Sequence, residues 1–131
     1  MFQELDSSPA TMQAGRVANL LGCIDGNDVQ QADATQAYTQ TELKGNPTWI
    51  RLPRDAWPKE WMDKGYKDPV CPLRLALYGH PDSGGRWEQH LEEHLKIVGF
   101  GKVTDWNSCY LHRRLELFLS VYVDDFKLAG P

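Results

Sequence analysis

Hydrophobic residues recur at helical spacing in two parts of the chain. Near the start, four apolar positions lie at mixed helical spacings before the stop signal Gly22: Met12, Val17, Leu20 and Leu21. After Gly85, four more recur four, four and three residues apart and end before Gly99: Trp87, Leu91, Leu95 and Val98. The patterns predict a helix over residues 11–21 and an amphipathic helix of about three to four turns over residues 85–99.

Short segments between turn signals, some apolar and some alternating, are candidate strands. We place them at residues 29–33, 49–52, 110–113, 116–121 and 126–129. A tight turn joins the last two, which therefore form an antiparallel hairpin. Residues 35–43 have the pattern of a brief helix, residues 53–72 that of a proline-rich loop anchored by tryptophans, and residues 73–77 fit a strand or a helix. Strands and helices that alternate and end in a hairpin indicate the α+β class.

Composition limits the function further. The 131 residues are enough for one domain, and the net charge of −4 argues against an isolated nucleic-acid-binding domain, since phosphate affinity depends on Lys and Arg. Three widely spaced cysteines without a CxxC pair fit a reducing compartment. No apolar stretch approaches the roughly 20 residues that span a bilayer, and residues 1–6 lack the features of a secretory signal. We therefore expect an intracellular protein, cytoplasmic or nuclear.

Neighbouring carboxylates, Asp124 and Asp125, lie in the predicted turn of the terminal hairpin. Like charges side by side repel each other, and a cation above such a turn relieves the repulsion. Asp33 ends an upstream strand, and it would complete a set of hard oxygen ligands for Mg²⁺ if the two strands are neighbours. Taken alone, each motif also fits a structural role, as an acidic hairpin turn or as a helix cap at Asp33.

Several motifs follow one another in a specific order. Asp33 is followed five residues later by Tyr38, and the chain later carries Tyr-Val-Asp-Asp at residues 122–125. Between them lie Leu-Tyr-Gly at residues 77–79, Trp87, Gly99-Phe100, Asp105 and Ser-Cys-Tyr at residues 108–110. This order resembles the reverse transcriptase domain of copia-type LTR retrotransposon polyproteins, from about residue 8 to the end of the chain.

The resemblance implies a partial polymerase palm, an antiparallel sheet with helices on one face, plus part of the fingers over residues 1–131. The thumb and the ribonuclease H domain are expected to be absent. The implied reaction is RNA-directed DNA synthesis with two Mg²⁺ ions, or Mn²⁺ as a substitute, that adds dNTPs to a primer 3′-hydroxyl. The implied partners are the RNA/DNA template-primer and dNTPs, and we expect the truncated chain to be inactive alone.

The resemblance also implies residue roles. Asp33, Asp124 and Asp125 would be the catalytic metal ligands, with a backbone carbonyl from Ala34. Tyr38 would lie under the incoming sugar, where its ring would reject a 2′-hydroxyl. The other substrate contacts would come from Tyr78, Gly79, Tyr122 and Val123, with Arg86 and Lys127 as minor contributors to phosphate binding. The basic run that usually follows Leu-Tyr-Gly in this family is replaced here by His-Pro-Asp-Ser-Gly-Gly-Arg at residues 80–86.

Two alternatives remain open. The first is a non-catalytic, palm-like remnant that has lost its reaction. The second is a zinc peptidase, because His90, Glu93 and His94 match the H-x-x-E-H pattern, in which two histidines on one helix face bind zinc and the glutamate acts as base. A third zinc ligand would be needed. The same helix presents an apolar face to the core, so a solvated polar face explains this pattern better.

Overall fold

The computed structural model describes residues 7–131. Our expectation about a secretory signal falls on residues 1–6, outside the described part. The helices and strands are α1 (Met12–Gly22), β1 (Asp28–Asp33), β2 (Trp49–Ile50), α2 (Lys59–Asp63), β3 (Cys71–Pro72), α3 (Ser83–Ile97), β4 (Gly101–Lys102), β5 (Cys109–His112), β6 (Leu117–Tyr122) and β7 (Asp125–Gly130). The described residues include no helix that is both long and apolar enough to cross a membrane.

A five-stranded antiparallel sheet forms the centre of the fold, in the order β1-β7-β6-β5-β4. Strands β6 and β7 form the predicted terminal hairpin, and β1 adds to the outer side of β7. A separate ladder joins β2 to β3. The predicted α+β class is confirmed. Because β1 and β7 are antiparallel neighbours, the end of one strand lies beside the start of the other.

Helix α1 packs against one face of the sheet. Thr11 caps its first turn, as its side-chain oxygen accepts a hydrogen bond from the backbone N–H of Ala14 at 3.4 Å. Ala14 and Ala18 are buried against Phe118 and Ala129, and the small alanines let the helix approach the strands closely. The predicted helix over residues 11–21 is confirmed to within one residue at each end.

Helix α3 packs against the opposite face. Its Leu91 and Leu95 are buried with Tyr110, Leu119 and Val121. Consecutive residues of a strand point to opposite faces, so Leu119 faces α3 while its neighbour Phe118 faces α1. The expectation of helices on one face of the sheet is therefore wrong. Each face of the sheet carries a buried apolar cluster, and one helix packs against each cluster.

The segment between β1 and α3 differs most from the prediction. Residues 35–43 contain only a 3₁₀ turn, Tyr38–Gln40, because Gln36 takes a positive φ of 54° and interrupts a continuous helix. The loop predicted at residues 53–72 contains a 3₁₀ turn, Arg54–Ala56, and the short helix α2, and the rings of Trp57 and Trp61 meet edge to face. Residues 73–77 form neither a helix nor a strand, apart from one isolated bridge between Leu75 and Glu42.

Candidate functional site

Two of the three predicted carboxylates meet across neighbouring strands. Asp33 is the last residue of β1 and lies directly opposite Asp125, the first residue of β7. One residue further on, the backbone N–H of Ala34 donates a 2.8 Å hydrogen bond to the carbonyl oxygen of Asp124. The backbone positions of Asp33, Asp124 and Asp125 therefore come together at one end of the sheet.

The pairing of Asp33 with Asp125 is electrostatically unfavourable. Directly opposed residues of an antiparallel pair project to the same face, and like charges in that position destabilise a sheet. Both side chains are exposed. Neither takes part in an ion pair among residues 7–131, where the salt bridges join other residues. A bound cation would relieve the repulsion between the two carboxylates. Carboxylate oxygens are ligands that suit a hard divalent ion.

The hairpin turn beside these carboxylates is strained. Val123 has a φ of +58°, a conformation that a β-branched residue adopts at a cost of about 1–3 kcal/mol. Trp87, which is buried in α3, donates from its indole Nε1–H to the carbonyl oxygen of Val123 at 2.6 Å. The helix on one face of the sheet thus fixes the turn that carries Asp124.

Asp124 is oriented toward two stacked tyrosines. The Tyr78 hydroxyl donates a long, 3.4 Å hydrogen bond to Asp124 Oδ2, and the rings of Tyr38 and Tyr78 stack with centroids 4.3 Å apart. Partial desolvation, followed by the Asp124 charge, raises the pKa of both phenols above its ordinary value. Asp124 therefore lies close both to the acidic end of the sheet and to this aromatic pair.

The three carboxylates do not form a closed cage. Within residues 7–131, no three Asp, Glu, His or Cys side chains come close enough together to hold an ion by themselves. Mg²⁺ is commonly bound through one or two carboxylates, with phosphate and water oxygens completing its octahedral shell. The pair Asp33 and Asp125, with Asp124 one residue away, fits that mode of binding better than an all-protein cage.

Several other predicted residues lie near this end of the sheet. Tyr122 is directly opposite Asp125 across the hairpin and is largely exposed. Gly79 takes a φ of +92°, which glycine tolerates and most residues do not. Lys127 follows Asp125 along β7, and its ammonium donates to Asn19 Oδ1 of α1 at 3.1 Å.

The Arg86 side chain contacts a loop and its own helix, not the acidic end of the sheet. Its guanidinium donates through Nη2 to the backbone carbonyl of Lys44 at 2.9 Å and makes a longer contact with Gln89. These bonds attach α3 to the loop around residue 44. The predicted contribution of Arg86 to phosphate binding would require the side chain to leave that loop.

Trp87 was not predicted as a site residue. The sequence placed it only in the apolar pattern of the predicted helix and in the order of motifs. A signal was present, because a buried indole N–H needs an acceptor and apolar neighbours offer none. The sequence could not show that the acceptor is the carbonyl of Val123, 36 residues away.

The rival zinc motif lies on the outer face of α3. Glu93 and His94 are exposed, and the ring centroids of His90 and His94 are 4.3 Å apart. One nitrogen of His94, Nδ1, lies 2.8 Å from the backbone carbonyl oxygen of His90, as expected for a local contact within the helix. The described residues supply no third ligand to this pair. The arrangement is that of a solvated helix face.

Comparison with known proteins gives two matches. The chain is 31% identical over 104 residues to the retrovirus-related Pol polyprotein from transposon RE2 of Arabidopsis thaliana, and 30% identical over 104 residues to that from transposon RE1. In each case the match covers 78% of this chain and 7% of the polyprotein. No family model and no solved structure matches. The chain is thus distantly homologous to a short segment of retrotransposon Pol polyproteins.

Proposed function

We propose that this chain is a palm-and-fingers part of a retrotransposon reverse transcriptase. The observation that carries the proposal is the position of Asp33 directly opposite Asp125 and one residue from Asp124, although 91 or more residues separate them along the chain. Distant homology to retrotransposon Pol polyproteins is consistent with it. The proposed activity is RNA-directed DNA synthesis from dNTPs on a template-primer.

In the proposed reaction the primer 3′-hydroxyl gives its proton to water and its oxygen attacks the α-phosphorus of a dNTP. The new O–P bond forms, and the bond to the leaving pyrophosphate breaks. Two divalent ions would lower the pKa of the 3′-hydroxyl and stabilise the entering and leaving oxygens. In the proposal, the carboxylates of Asp33, Asp124 and Asp125 and the carbonyl of Ala34 hold these ions.

Other residues of the acidic end would orient the substrates. The stacked rings of Tyr38 and Tyr78 form a flat wall beside Asp124, where an incoming sugar would pack and an added 2′-hydroxyl would meet the Tyr38 ring. Gly79 would let its backbone approach the nucleotide. Tyr122 and Val123 would contact the primer end. Because Trp87 fixes Val123, the position of the primer contact depends on the packing of α3.

Primer extension tests this proposal. A longer polypeptide that contains residues 7–131 should add dNTPs to a primer on an RNA template in the presence of Mg²⁺. Asp124→Asn keeps the size of the side chain but removes its charge, and it should lower the rate by at least 100-fold without unfolding the protein. Asp63→Asn on α2 is the matched control and should leave the rate unchanged. Full activity of Asp124→Asn would contradict the assignment.

A further inference from the structure

A concave surface lies at the end of α3 that is remote from Asp124. It has a volume of about 900 Å³ and is lined by residues 96–104 and 111–114, and we call it the basic concavity. At its other end, α3 holds Trp87 against Val123, and the 15 residues of the helix separate its two ends by about 22 Å. The basic concavity is therefore distinct from the acidic end of the sheet.

The lining of the basic concavity is strongly cationic. The described lining residues include no carboxylate and four cations: Lys96, Lys102, Arg113 and Arg114. Lys102 forms ion pairs with Glu88 and Glu92 of α3. The other three cations are exposed and make no salt bridge within residues 7–131. Three unpaired cations around one concavity repel each other in a chain of net charge −4, and an anionic partner would relieve that repulsion.

Apolar side chains lie exposed beside these cations. Ile97 is 82% accessible, Val98 61% and Leu111 41%. The first two follow Leu95, the last buried residue of α3, so they extend the apolar sequence of the helix beyond the part that packs on the sheet. Aliphatic side chains surrounded by charges are typical of a surface that binds a protein partner.

A buried histidine holds the basic concavity in shape. Nδ1 of His112 accepts a 3.2 Å hydrogen bond from the backbone N–H of Leu115, so Nε2 carries the ring proton and donates to the carbonyl oxygen of Val98 at 3.1 Å. Gly99 takes a φ of +99°, and a Cβ there would lie 2.7 Å from Nε2 of His112. The turn that ends α3 therefore rests directly on the ring. A surface formed before binding loses less conformational entropy when a partner associates.

We infer that the basic concavity binds an acidic polypeptide segment that carries aliphatic side chains. Its carboxylates would meet the three unpaired cations, and its aliphatic groups would cover Ile97 and Val98. The inference does not depend on the proposed polymerase activity, because the basic concavity lies at the opposite end of α3 from the turn that carries Asp124.

Other partners match the basic concavity less well. A nucleic acid supplies the charge but no aliphatic side chain, and the Phe100 ring of the lining is half-buried and meets His112 edge to face, which leaves it poorly placed to stack on a base. A lipid surface is flat, whereas this surface is concave. Two copies of the chain that met through this same surface would bring like charges together.

The first test measures binding of a short peptide to the 131-residue chain. The probe is a fluorescein-labelled peptide of two Glu-Glu-Leu-Leu repeats, which presents both kinds of side chain on each face when it is extended. Fluorescence anisotropy in EDTA should give a Kd below about 200 μM. Peptides of Gln-Gln-Leu-Leu and of Glu-Glu-Ser-Ser repeats lack the charge or the aliphatic groups, and each should bind more weakly by about fivefold or more.

The second test removes charge from the protein. Arg113→Gln with Arg114→Gln should weaken binding of the Glu-Glu-Leu-Leu peptide by about fivefold or more, because two charge contacts are lost. Lys59→Gln with Lys64→Gln on α2 removes the same charge elsewhere and should leave Kd within about twofold of the wild type. All four side chains are exposed, so both double variants should keep the wild-type Tm to within about 2 °C.

The third test removes the aliphatic contact. Ile97→Ser should weaken binding of the same peptide by about threefold or more, because less apolar surface is covered in the complex. Met62→Ser on α2 is the matched control, since Met62 is also exposed, and it should leave Kd unchanged.

Several outcomes would overturn the inference. It is wrong if the wild-type chain binds the peptide with a Kd above about 200 μM, or if the variants at Arg113 and Arg114 or at Ile97 bind like the wild type. If a twelve-nucleotide single-stranded DNA binds as tightly with the same dependence on these variants, the surface takes nucleic acid instead. If sedimentation shows a dimer that Ile97→Ser disrupts, the surface is an interface between copies. Asp124→Asn should bind the peptide like the wild type, so peptide binding and primer extension can fail independently.

Discussion

Trp87 of α3 donates a 2.6 Å hydrogen bond from its indole N–H to the carbonyl oxygen of Val123, the residue of positive φ in the β6–β7 turn. The bond links a helix on one face of the sheet to the turn that presents Asp124. A strained turn persists only where its surroundings determine it, and here the buried indole is part of those surroundings. The same hydrogen bond therefore contributes to the stability of the fold and to the position of Asp124.

Trp87→Phe tests this link. It keeps an aromatic ring in the core but removes the donor and leaves the Val123 carbonyl without its partner. We expect a loss of about 1–3 kcal/mol in the free energy of unfolding, measured by urea denaturation. Trp106→Phe is the control, because the Trp106 ring packs on Phe118 from a partly exposed position, and it should cost less. An equal loss in both variants would show that lost ring volume, not the hydrogen bond, is responsible.

The relative stability of two variants at Val123, one with glycine and one with alanine, measures the strain directly. Alanine is more stable than glycine at most positions, by roughly 0.5–1 kcal/mol in regular structure. At a φ of +58° the order should reverse, because alanine keeps the clash of its Cβ and glycine has none. Val123→Gly should therefore have a higher free energy of unfolding than Val123→Ala. If alanine is the more stable variant, the turn does not have the described conformation.

Acid should destabilise the protein through His90. Burial first, and then the neighbouring His94, lower the pKa of His90 below its ordinary value, and Glu93 opposes this only in part. The unfolded chain therefore binds a proton at a higher pH than the folded one. The free energy of unfolding should fall as the pH drops through about 6.5 and toward the lower folded-state pKa. Denaturation curves at pH 7.5 and 5.0 should show a smaller difference for His90→Gln than for the wild type, and an unchanged difference would contradict this account.

The pKa of Tyr78 should report a cation at Asp124. Desolvation, and then the charge and hydrogen bond of Asp124, raise it above the ordinary value for a tyrosine. A divalent ion on Asp124 would offset that charge and lower the pKa again. NMR titration of ring-labelled tyrosine should show a lower Tyr78 pKa in 10 mM Mg²⁺, and Asp124→Asn should produce a similar decrease without metal. If Mg²⁺ leaves the pKa unchanged, it does not bind at Asp124.

Much of the fold was predictable because periodicity is local. The apolar spacing from Trp87 to Val98 defined α3, and the continuous apolar run before Asp124 defined β6. The spacing identified the buried face only in part, because Val98 is largely exposed and the buried residues of α1 are Ala14 and Ala18, which the apolar pattern of that helix did not include. The expectation of helices on one face came from the family resemblance, and it was wrong because α1 and α3 pack on opposite faces of the sheet. Residues 35–43 were mispredicted because the positive φ of Gln36 depends on tertiary context.

The site was predictable only in part. Asp33 was identified because it ends a predicted short strand and matches an ordered set of motifs, and the structure brings it to Asp125. The bond between Trp87 and Val123 could not be derived, since it joins elements that meet only after folding. The orientation of Asp124 toward Tyr78 likewise depends on a loop without regular structure.

Binding of Mn²⁺ in the presence of a dNTP reports whether Asp33 and Asp125 hold divalent ions together. Free Mn²⁺ can be followed by electron paramagnetic resonance while the 131-residue chain is titrated with dTTP present. We predict two ions bound per chain, a loss of at least one of them in Asp33→Asn and in Asp125→Asn, and no change in the control Asp63→Asn. Identical Mn²⁺ binding by Asp33→Asn and the wild type would contradict the account.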